Sequence, residues 1–85
     1  MDSINDDNDK DRKDEARCLR RLQVMIGMVM SMIGQDPDLT LEEAAELAAS
    51  ARRAALAMFP DKELTYDIIY RPRVQRLIDE RFRLQ

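Results

Sequence analysis

Few residues in this chain have the chemistry that catalysis needs. There is no His and one Cys. A nucleophile normally works beside His or an activated Lys. Cys18 has Arg17 and Arg21 nearby, and cations of that kind favour a thiolate. Its position on the apolar seam of a helix instead predicts a small buried hydrophobe. Glu42 and Glu46 stand one helical turn apart, with Glu43 beside them. Paired carboxylates can move protons or hold a cation. Acids also gather at helix starts for dipole and capping reasons, and that placement accounts for all three. The Asp-rich N-terminus matches a calcium loop in composition only. It lacks the required Gly and the terminal Glu at the right spacing. The expectation is a protein that is not an enzyme, with no metal, no cofactor and no small-molecule substrate.

Recognition chemistry is better represented. Tyr66 and Tyr70 are helical neighbours, and Arg71, Arg73 and Arg76 surround Pro72. Tyr and Arg dominate binding hot spots, and Arg grips carboxylate or phosphate bidentately. These five residues form the expected partner-binding surface. The competing reading is a solvated charged face, with Asp67, Asp79 and Glu80 neutralising nearby Arg residues along the helix. Arg17, Arg20 and Arg21 make a second basic spot. Met25, Met28, Met30 and Met32 lie within eight residues, and Met58 follows on the next helix. Methionine fills irregular cores and also lines surfaces that adapt to partner helices; core filling is the favoured reading here.

These residues need elements to position them. The spacing predicts a first helix over about Asp14–Ile33. Cys18, Leu22, Met25, Val29 and Met32 step by 4, 3, 4 and 3, and Leu19, Ile26 and Ile33 form a second row. The second half is apolar nearly all round, which predicts a central, covered helix. Gly34 is expected to end it in a left-handed conformation before Asp36-Pro37. Thr40-Leu41-Glu42-Glu43 matches a capping box and starts a second helix over about Leu41–Met58. That helix carries eight alanines, the best helix formers, and its small face would let the first helix approach closely. A third helix is expected from about Pro60. Pro72 should break it near Arg71, since a residue before Pro is pushed out of the helical region. Helical spacing then resumes through Val74, Leu77, Ile78 and Phe82.

The predicted fold is therefore all-α: a small bundle of three helices, the third broken near Pro72, with a disordered acidic N-terminal tail. Residues 1–12 are assigned to the tail and residues 13–85 to a single helical domain. The first 15 residues hold seven acids and three bases, a net of −4. The other 70 carry 11 bases and 10 acids, a net of +1. Phosphate neutralisation supplies most non-specific nucleic-acid affinity, and a body this close to neutral offers little of it. A small helical DNA-binding regulator with an autoinhibitory acidic tail is the alternative function. No apolar run approaches the ~20 residues of a membrane span, and no secretory signal pattern opens the chain. With one Cys, a reducing cytoplasmic setting is expected. Domains near 60 residues are marginal alone, so self-association or a protein partner is expected. The function predicted is a non-catalytic interaction module: an adaptor, a small regulatory subunit or an inhibitor.

Overall fold

The computed structural model describes residues 3–83, with side chains from residue 11 onward. Four helical segments follow one another: α1 (Ser3–Gln35), α2 (Leu41–Met58), α3 (Glu63–Ile69) and α4 (Arg71–Arg81). α3 and α4 meet at Tyr70 and make one bent third helix, so the architecture is the expected three-helix one. There is no strand among the described residues. The disordered tail expected over residues 1–12 is not confirmed: α1 starts at Ser3 and not near Asp14, and the side chains of residues 1–10 lie outside the described ones.

α1 supplies the spine. Leu22, Ile26, Val29 and Ile33 step by 4, 3 and 4 and are all buried. This seam draws two members from each of the rows expected from sequence. Ile33 is fully enclosed, at 0% exposure. Burying a Leu, Ile or Val side chain contributes about 1.5–3 kcal/mol, so these four anchor the helix. The opposite flank corrects the expectation of a covered helix: Val24, Met28 and Met32 are exposed. Cys18 is half-buried. Gly34 has no left-handed conformation, since no glycine here has positive φ. It lies inside α1, with Leu77 of α4 packed 3.8 Å from where its Cβ would stand. The molecule is 65 Å long, largely because 33 helical residues at 1.5 Å each span about 50 Å.

α2 forms where its signals place it. The Thr40 hydroxyl accepts from the Glu43 N–H at 3.1 Å, and the Glu43 carboxylate accepts from the Thr40 N–H at 2.9 Å. Two otherwise orphaned donors are satisfied. Ala44, Ala51 and Ala55 are buried against the core. Their small side chains let large residues of α1 and α4 meet over them.

The third helix starts later than expected. Phe59 caps α2, Pro60 and Asp61 form a turn, and helix resumes only at Glu63. The break falls beside Arg71, as expected. Tyr70 is the junction, while Arg71 is already helical and Pro72 sits in the first turn of α4. A first turn needs no N–H from its second residue. Pro72 cannot donate to the carbonyl four residues back, so the ladder is interrupted there and the axis bends.

Two arginines tie the pieces together across long sequence separations. Arg81 of α4 donates to the carbonyls of Ile33, at 2.6 Å, and Asp36. α1 has no basic residue in its own last turn, so Arg81 serves its negative end. Arg52 of α2 donates to both carboxylate oxygens of Asp67, at 2.9 and 3.1 Å, and to Glu63 at 2.6 Å. That fork holds the short α3 against α2.

Candidate functional site

α3 packs on α2 and α4, and α1 packs on α2 and α4, but the backbones of α1 and α3 stay apart. The gap between them is a pocket of about 200 Å³. Leu22, Ala55 and Tyr66 are its buried floor, and Leu56, Phe59 and Tyr70 are its half-buried walls. Leu19 at 43% exposure and Ile69 at 41% stand on opposite rims. Lys62 and Thr65 are its polar margin. Small-molecule sites usually occupy about 300–1,000 Å³, so this space suits one or two side chains better than a cofactor.

Its existence follows from local sequence. A seven-residue α3 cannot cover the protruding half of α1. It carries Leu64, Tyr66, Ile68 and Ile69, of which only Tyr66 is buried. Leu64 is 72% exposed. Ala55 adds little bulk where Leu22 and Tyr66 face one another. Arg52 fixes the α3 wall through Asp67, and that guanidinium holds the Asp67 carboxyl below its ordinary value. Burial pushes the Tyr66 hydroxyl up, partly opposed by the Arg52 charge.

The five residues expected to form one contact surface are divided by the fold. Tyr66 is 4% exposed and belongs to the core. Tyr70 is half-buried, its ring 5.6 Å from that of Tyr66 with 32° between the planes. Arg73 lies over the Tyr70 ring at 5.9 Å, within cation–π range. Arg71 lines a second depression, of about 420 Å³, between α2 and the α3–α4 junction with Arg52, Tyr66 and Gln75. Arg76 is exposed away from both. Tyr66 and Tyr70 are thus brought together in the α1–α3 pocket, Tyr66 and Arg71 share the α2–α4 depression, and Arg73 and Arg76 line neither.

Leu19, Leu56, Phe59 and Ile69 were not singled out from sequence as site residues. The available signal was α3 itself, whose apolar residues outnumber what so short a helix can bury. Asp67 pairs chiefly with Arg52, on a different helix, and the charge of its expected helical neighbour Arg71 also lowers its carboxyl. Asp79 accepts from Gln75. Glu43 is in the capping box and Glu46 pairs with Arg53. Among the described residues no three of His, Cys, Asp and Glu converge as metal ligands. Among them, too, no helix is long and apolar enough to cross a membrane. No protein-family model, curated protein or solved structure matches the chain.

Proposed function

We propose that this protein is a non-catalytic protein–protein interaction module, and that the α1–α3 pocket receives an apolar anchor from its partner. The observation behind the reading is the pocket itself: an uncovered, almost wholly apolar recess with Leu19 and Ile69 exposed on its rims. Apolar recesses ringed by polar groups mark docking sites, because burying them releases water at little cost. Tyr70 on its wall, and Arg73 over the Tyr70 ring, are residue types that carry binding energy. The lone Cys18 fits a reducing, cytoplasmic setting.

The test is capture from a lysate of the native host, after nuclease treatment, with wild-type bait beside Ile69→Glu and Arg76→Glu. The reading expects a protein recovered by wild type and Arg76→Glu and lost by Ile69→Glu. Truncating a true anchor in such a site costs about 2 kcal/mol or more. Recovery that disappears with nuclease treatment, or that Arg76→Glu alone removes, would replace this reading with nucleic-acid binding through the basic α4 face.

A further inference from the structure

α1 carries a second uncovered seam on its outer flank. Arg17, Arg21, Val24, Met28 and Met32 step by 4, 3, 4 and 4, so they form one stripe along the helix. They line a shallow groove with Arg20 and the half-buried Met25. Met28 is 62% exposed, and all five side chains of the stripe are exposed. The stripe is polarised: one end is arginine, the other is valine and methionine. No acidic residue lines the groove. Among the described residues, the guanidinium groups of Arg17, Arg20 and Arg21 take part in no ion pair or hydrogen bond.

We infer that this seam binds an amphipathic helix of another protein, one whose contact stripe is apolar in one half and acidic in the other. Charge complementarity selects that occupant. A partner carboxylate would meet guanidiniums that have no partner among the described residues, and bidentate pairing would fix the helix register. Methionine side chains adapt to aliphatic partners without a preset shape. A second copy of this chain fits poorly. Antiparallel pairing centred between Val24 and Met25 would set Arg17 and Arg21 against Met32 and Met28, desolvating cations on thioethers. Parallel pairing would stack arginine on arginine. A nucleic acid would meet the arginines but leave the Val24–Met32 half uncovered. This seam lies on a different flank of α1 from the α1–α3 pocket, so the two can be tested apart.

The test uses the full chain and two synthetic helical peptides of about 18 residues, long enough to span the roughly 22 Å stripe. One carries Leu on the stripe for two turns and Glu for the next two; the other has Lys in place of Glu. Calorimetric titration is expected to show the Glu peptide binding at least about tenfold more tightly. Arg17→Glu with Arg21→Glu should reverse that preference. Met28→Glu should weaken both peptides, while Ile69→Glu should leave them unchanged. Circular dichroism of each variant checks that it is folded, and exposure of all these positions makes that the expected result. Equal binding of the two peptides, or binding of neither, would overturn the assignment of an acidic partner. Loss of binding in Ile69→Glu alone would move the peptide to the pocket. A wild-type dimer dispersed by Met28→Glu would give the seam to a second copy instead.

Discussion

On one side of α1 the bundle is closed, and on another it is open. Toward α2 and α4, Leu22, Ile26, Val29 and Ile33 meet a helix faced with Ala44, Ala51 and Ala55, and every one of these is buried. Toward α3, Leu19 faces Ile69 across an empty recess. Both sides are apolar. What differs is whether the chain supplies a covering element of the right length. α2 has 18 residues and a capping box, whereas α3 has seven and no side-chain cap. Hydrophobicity alone therefore does not separate core from binding surface in a small bundle; the reach of the neighbouring helix does.

The contrast can be broken most severely at Ile33. Ile33→Ala should lose about 2–5 kcal/mol in urea denaturation, and Leu64→Ala on the open side should stay within about 0.5 kcal/mol. Similar losses for the two would mean that α3 is better covered than its exposure indicates. Weakening the covering helix comes next. Thr40→Ala should cost about 1 kcal/mol, read as a lower midpoint with an unchanged slope. Gly27 lies inside α1, and a Cβ added there would meet nothing within 4 Å. Gly27→Ala should therefore gain about 0.5–1 kcal/mol without touching either side.

The smallest effect sharpens the origin of the α3 wall. The Asp67 carboxyl is held low chiefly by its hydrogen bonds to Arg52. A group lowered on folding adds stability above its unfolded value, about 3.9 for Asp. That contribution fades as pH falls through the folded value. Wild type should therefore lose stability over that acid range more steeply than Asp67→Asn, measured as the urea midpoint against pH. Parallel curves would show that Asp67 does not hold α3.

Much of this was legible from short-range patterns. The capping box and alanine face place α2 at Leu41–Met58, and Pro72 signals the bend. The 3–4 spacing marks α1 as helical. What escaped depends on partners distant in sequence. Nothing local to Arg81 says that it will serve the carbonyls of Ile33 and Asp36, or local to Arg52 that it will fork onto Asp67. Gly34 reads as a helix terminator until Leu77 is seen packed beside it. Tyr66 and Tyr70 look alike in sequence; only the tertiary arrangement buries the first and leaves the second on the pocket wall.

The most direct test of the open side as a docking site is position-specific photo-crosslinking in the native host. A benzophenone amino acid replaces Ile69 in one protein and Arg76 in another. The pocket reading predicts a discrete protein adduct from position 69 and none from position 76. An adduct from position 76 with none from position 69 would contradict it and return the contact surface to the basic face of α4.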